Sequence, residues 1–282
     1  MKIRQWTIYI LLILTVLAVG LSFLPTDKKE ISPFAVWWWD ATLDESYLDF
    51  AEDNGVNEIY YNATNFDQQT AQFVEKANKK GMKVFYLSGH VEWLEDENEK
   101  QKLFDEIEDF KQYQTDFAGQ KFEGVHFDIE PHQSANWQTN RIQLLQSLVE
   151  LADYLKETYQ DVKFDYDIPF WFDDQITHNG QTKEVYKHMI DIADRVVVMS
   201  YRDTAEKIYN VGEDEVEYAK AVGKTLLLSV ETTTDNPDEK FVSFEEEGSG
   251  AMLEAISSVK EKMPKHFGFA VHNVKTWKNM IA

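Results

Sequence analysis

The sequence of 282 residues contains no cysteine. That excludes disulfides, a thiolate zinc site, a cysteine nucleophile and a lipidated cysteine. Basic residues are scarce too: 28 Lys and Arg face 50 Asp and Glu, for a formal net charge of −22. Nucleic acid, which needs a basic face, is therefore not an expected partner. Like-charge repulsion also disfavours a polyanionic substrate against a neutral one. Most of this charge serves solubility. No glycine-rich phosphate loop follows the first strand-like run, which argues against an open dinucleotide-binding sheet. His90, His126, His132, Asp128, Asp165, Asp167 and His272 have the chemistry of metal ligands. Yet no H-x-H opens the first strand and no H-E-x-x-H occurs, so neither a metal nor another cofactor is expected.

Aromatic residues, by contrast, reach 14% with eight tryptophans, a surplus of the kind found in sugar-binding clefts. The longest apolar run is Trp6–Leu24, entered through Lys2 and Arg4 and closed by Pro25, Asp27, Lys28 and Lys29. Its length of about 19 residues is that of a bilayer span rather than a signal-peptide core of roughly 7–15. Ala18-Val19-Gly20 nonetheless makes a passable cleavage site. Residues 1–25 read as a signal anchor or signal peptide, 26–33 as a linker and 34–282 as one exported domain. The expected location is the cell membrane, single-pass with the C-terminal domain outside, or the exterior after cleavage. Life outside the cell without disulfides requires a full-sized core, and this length permits one.

Beyond the linker, short β-rich runs alternate with longer segments of helical spacing. The expected strands are Phe34–Trp39, Asn57–Asn62, Lys83–Ser88, Gly124–Glu130, Lys163–Pro169, Arg195–Tyr201, Thr225–Glu231 and Phe267–His272. Leu144, Leu145, Leu148, Leu151, Ala152 and Leu155 make the clearest amphipathic stripe. Gly55, Gly81 and Gly223 fall where helices should be capped. Eight strand–helix units in succession imply a closed (β/α)8 TIM barrel behind the one N-terminal helix. Barrel enzymes work at the C-terminal ends of their strands. Here those ends carry Asp40, Asn62, His90, Asp128, Glu130, Asp167, Tyr201, Arg202, Glu231 and His272.

The fourth strand runs Phe122-Glu123-Gly124-Val125-His126-Phe127-Asp128-Ile129-Glu130-Pro131. Period-two alternation sends His126, Asp128 and Glu130 to one face, and Val125, Phe127 and Ile129 to the other. The apolar set suits the helix layer, so the charged set should face the barrel interior. Two carboxylates buried side by side raise the pKa of one, which supplies a general acid. A satisfied interior polar cluster would explain them more blandly.

This strand resembles the D-x-x-D-x-D-x-E signature of the family-18 chitinase-type glycoside hydrolases. Glu123, His126, Asp128 and Glu130 stand on its four acidic positions, with His126 the departure. Met199-Ser200-Tyr201-Arg202 on the sixth strand resembles that family's M-x-Y-D element. The resemblance implies that Glu130 donates the proton, Asp128 orients a substrate N-acetyl group, and Tyr201 helps hold the reacting amide. It further implies an extracellular glycosidase of substrate-assisted, retaining mechanism on an N-acetylhexosamine glycan. His126 is expected to serve Asp128. His272 stands where that family places the tryptophan floor of the sugar subsite.

A second pattern fits as well: retaining glycosidases with an acid/base Glu before Pro on the fourth strand and a nucleophilic Glu on the seventh, here Glu130 and Glu231. A non-catalytic barrel binding surface glycans is the remaining alternative. His126, Trp37, Trp39, Asp167, Trp171, Arg202, Glu231 and His272 are the expected carbohydrate-binding residues.

Overall fold

The computed structural model describes residues 32–234 and 236–280. The expected anchor or signal helix lies outside the described residues. Within them, no helix is long and apolar enough to cross a membrane.

Eight parallel strands close into a barrel. In chain order they are β1 Phe34–Trp38, β2 Glu58–Tyr61, β3 Lys83–Ser88, β4 Val125–Phe127, β5 Phe164–Pro169, β6 Arg195–Met199, β7 Thr225–Glu231 and β8 Gly268–His272. Each strand pairs with its neighbours in that order, and β8 returns to β1 through Phe34 opposite Phe269. All eight expected strands are present, with β3 and β7 at the expected bounds. The fourth is shorter than expected because the chain leaves the sheet after Phe127.

Alternation along the strands sorts side chains into two cores. Ala35, Trp37, Tyr60, Phe85, Leu87, Val197, Leu227 and Ala270 fill the barrel. Val36, Trp38, Ile59, Val84, Val125, Phe127 and Ile129 face the helix layer. The Leu144–Leu155 stripe is buried there, on the helix Trp137–Thr158. Beneath the inner apolar set lies an ionic layer. Arg195 reaches Glu58 at 2.7 Å and Asp165 at 2.6 Å, and its guanidinium sits over the Phe85 ring. A buried cation of this kind persists only with such partners.

Helices α1 Glu45–Asp53, α2 Gln68–Lys79 and α3 Glu97–Asp116 begin on Asp44, Asp67 and Asp96, whose carboxylates accept from first-turn amides. Gly55, Gly81 and Gly223 all take positive φ after a helix, as expected. One element was not expected: a hairpin of Gln175–His178 and Gln181–Glu184 after β5. Its turn is Asn179-Gly180, both at positive φ.

Candidate active site

The C-terminal mouth is built mainly from β4, β5, β7 and β8. After Phe127 the alternation persists although the sheet has ended. Ile129 stays in the outer core, while Asp128 and Glu130 continue the inward side begun by His126. The Asp128 amide donates to the Ser88 carbonyl at 2.9 Å. A Cβ on Gly89 would lie 1.9 Å from the Asp128 carbonyl oxygen, so no other residue fits there. Glu130 opens a short turn, Pro131–Gln133, which is tied down from the β3 loop. Glu95 accepts from Ser134 Oγ at 2.7 Å and from Asn136 Nδ2 at 2.7 Å.

Burial pushes the Asp128 carboxyl up to about 8, with the nearby Asp167 charge adding and His272 opposing. Burial raises Glu130 to about 7, again with a carboxylate, Asp128, adding and His272 opposing. An acid proton is thus held near neutrality within the Asp128–Glu130 pair. Glu130 lies 3.4 Å from Nε2 of His132, which packs edge-on against Trp137 and Trp171. Arg141 covers both indoles and pairs with Asp174.

Asp167 is buried deeper, and burial drives its pKa far upward despite the Trp37 hydrogen bond. Its Oδ2 accepts from Trp37 Nε1 at 3.1 Å and meets His126 Nε2 at 2.9 Å. These contacts correct two expectations. His126 pairs with Asp167 rather than Asp128, and at 0% exposure it cannot touch a sugar. Burial lowers its pKa to about 3, so it is neutral, and its ring stacks on Tyr60 at 3.6 Å. Trp37, also expected to bind substrate, is 1% exposed and packs against Tyr60, His126 and His272. Trp37, His126 and Asp167 together form a buried support under the mouth, because inward positions of the adjacent β4 and β5 meet that of β1 across the barrel.

Tyr201 follows β6, where Ser200 Oγ donates to the Ser229 carbonyl at 2.9 Å. Burial, then the charges of Glu231, Asp167, Asp128 and Glu130, push the Tyr201 hydroxyl far up. It therefore stays a hydrogen-bond donor among four carboxyl groups. Arg202, expected to bind carbohydrate, is half-buried. It donates to the Tyr201 carbonyl at 2.7 Å and lies over Phe170 and Phe241, along the rim. Trp171 stays partly exposed beside His132.

Glu231 is braced on both oxygens. Oε1 accepts from the amides of Thr232 at 2.7 Å and Thr233 at 3.2 Å, and Oε2 lies 2.7 Å from His272 Nδ1. His272 Nε2 in turn lies 2.9 Å from the indole nitrogen of Trp39. Among the described residues, no group of three acidic or histidine side chains is arranged to hold a metal ion. Sequence reading did not find Gly89, Glu95 or His132 in these roles. The close approach at Gly89 and the ties to Glu95 join segments far apart in the chain, and no local pattern encodes them.

Solved structures share the barrel. The spore cortex-lytic enzyme SleL of Bacillus megaterium aligns with a TM-score of 0.53 at 12% identity, over 91% of this chain and 75% of that one. A GH18 chitinase from Pseudoalteromonas aurantia gives 0.53 at 12%, over 89% of this chain and 100% of its own. The class V chitinase of Nicotiana tobaccum, solved in complex with NAG4, gives 0.53 at 9%, over 87% and 99%. The fold is theirs. No protein-family model and no curated protein matches the sequence.

Proposed function

We propose that the protein is a glycoside hydrolase acting outside the cell on a glycan that contains N-acetylhexosamine. The observation that carries this reading is the Asp128–Glu130 pair at the barrel mouth, held with its acid form favoured near neutral pH and faced by the Tyr201 hydroxyl. The shared fold of a spore cortex-lytic enzyme and of chitinases, one of them bound to NAG4, supports the same substrate class.

In this reading Glu130 gives its proton to the glycosidic oxygen as the bond to the anomeric carbon breaks. The substrate's acetamide oxygen attacks that carbon, which retains the electron balance without a protein nucleophile. Asp128 accepts the acetamide N–H and Tyr201 donates to the acetamide oxygen. Water then opens the cyclic intermediate with Glu130 as base. In this reading Glu231, held by the Thr232 and Thr233 amides and by His272, braces the mouth rather than attacking the sugar. The apolar N-terminal run would keep this domain at the outer membrane face, or be cleaved to release it.

The test is an assay of the full chain on a panel of chitin, peptidoglycan and neutral glycans lacking N-acetyl groups. Release of reducing ends from the first two alone is expected, and its loss in Glu130→Gln. Cleavage confined to glycans without acetamide would reject the substrate-assisted reading. Binding without cleavage would favour the glycan-binding barrel.

A further inference from the structure

His272 ends β8 with both ring nitrogens engaged, and the two contacts fix its tautomer. An indole N–H can only donate. Nε2, 2.9 Å from Trp39 Nε1, must therefore be the lone-pair nitrogen. Nδ1 then carries the proton and donates to Glu231 Oε2 at 2.7 Å. The relay is anchored at its far end, where the amides of Thr232 and Thr233 hold the other Glu231 oxygen.

At its near end stands Trp39, 38% exposed, and no other described tryptophan is as exposed. The residue after it is pinned as well. Asp40 accepts from Lys275 Nζ at 2.8 Å and from the Thr42 amide at 3.0 Å. A large apolar ring held rigid at the mouth, with its one polar atom already consumed, offers a flat face and nothing else. That is the surface on which the apolar face of a sugar ring stacks.

We propose that Trp39 is the sugar-stacking platform of this site and that neutral His272, braced by Glu231, is the residue that positions it. The sugar rests on the glycosidase reading above; the relay does not. It replaces an aromatic floor at the end of β8 with a ring from the end of β1, held across the barrel seam.

The relay has a built-in consequence. A proton on Nε2 removes the acceptor of Trp39 while the Glu231 bond persists, so acid frees the platform. The groups facing His272 are Glu231 from β7, Asp128 and Glu130 after β4, Asp167 from β5, Tyr201 after β6, Trp37 from β1 and Trp39 just after it. Burial lowers the basicity of His272, but the Glu231 hydrogen bond and the charges of Glu231, Asp128 and Asp167 outweigh it, and the balance lies above the ordinary 6.5. Release of Trp39 should then begin at a higher pH than a free imidazole would set.

The experiment uses the full chain with 15N-labelled tryptophan, the Trp39 indole resonance being identified by its absence in Trp39→Phe. In the unaltered protein that resonance should move as pH falls, with a single midpoint above 6.5. His272→Gln keeps an amide oxygen for Trp39 and an amide N–H for Glu231 but cannot titrate, so its Trp39 resonance should hold still. His272→Phe should leave the resonance at its acid position at every pH. A Trp39 resonance that ignores pH, or that moves alike in the protein and in His272→Gln, overturns the relay.

The second arm uses chitotetraose as the probe. Between pH 8 and pH 5 its affinity should fall about tenfold more with His272 in place than in His272→Gln, the scale of one lost aromatic contact. Because His272 itself opposes the rise of Asp128 and Glu130, both proteins carry Asp128→Asn and Glu130→Gln in this arm, so neither of those carboxyls titrates. Equal pH dependence overturns the platform. No binding of chitotetraose to the unaltered protein at any pH would reject the N-acetylhexosamine reading and with it the platform for that sugar, while the resonance still decides the relay.

Discussion

Nε2 of His126 lies 2.9 Å from Oδ2 of Asp167, with both side chains sealed from solvent. The imidazole stands where the resembling signature has an acid, yet its partner is on the next strand rather than two residues along its own. Its Nδ1 and the second oxygen of Asp167 have no partner. The pair thus supports the mouth from below.

Removing that support should cost stability before it costs chemistry. His126→Ala deletes the stack on Tyr60 and leaves Asp167 with only the Trp37 hydrogen bond. We expect a loss of roughly 2–4 kcal/mol in urea unfolding, the range for a buried ring and a broken buried contact. Chelator treatment of the unaltered protein should leave its activity unchanged. An undiminished unfolding midpoint in His126→Ala would refute the support role.

Activity should fall as pH rises through about 7. Glu130 is raised to about 7 by burial and by Asp128, and a general acid works only while protonated. The alkaline limb of kcat/KM should lie there, well above the ordinary carboxylate range. Glu130→Gln should lower kcat by at least about a hundredfold without unfolding the chain. A pH–rate profile flat to pH 9 would remove Glu130 from the role.

Stability has its own pH dependence, and its sign is opposite to that of a salt-bridged acid. The folded pKa of Asp128 is raised from 3.8 to about 8. Below 3.8 the group is protonated in both states and adds no penalty. As pH climbs from 3.8 to about 8, the unfolded chain releases the proton that the fold retains, so stability is lost across that window. Asp128→Asn abolishes the loss. It should leave the melting temperature near that of the unaltered protein at pH 4 and raise it by several degrees at pH 8, for roughly 1–3 kcal/mol. Equal melting temperatures at pH 8 would contradict a buried, raised carboxyl.

The two carboxylate schemes part over Glu231. If the nucleophile belongs to the substrate, Asp128→Asn damages turnover far more than Glu231→Gln, by at least about tenfold. No covalent sugar should then form on the protein. Trapping with a fluorinated sugar followed by mass spectrometry decides this. A glycosyl adduct on Glu231 would establish the two-carboxylate mechanism instead.

Much of this was legible in the sequence, because period-two and period-3.6 patterns are local. The strand bounds, the Leu144–Leu155 stripe and the inward side of Asp128 all follow from neighbours a few residues apart. The hairpin at Gln175–Glu184 was not read, although Asn179-Gly180 is a hairpin turn. Its arms are four residues each and largely polar, so they carry no core signal. The partners of His126 and His272 were illegible for a different reason. Which inward residues meet across the barrel depends on the stagger between strands, and that is a property of the closed sheet rather than of any one strand.

The last two helix starts bear on how an anion would meet this end of the barrel. In many barrels of this kind a phosphate group is seated by the last two strand–helix loops, on free amides at a helix N-terminus. Here the helix Gly248–Lys260 is preceded by Glu245-Glu246-Glu247. The helix Val274–Asn279 has its first amides taken by the Asn273 side chain in a reciprocal box with Thr276. One start repels an anion and the other has already filled the place it would take. Neither of these two helix starts thus reproduces the phosphate seat of such barrels.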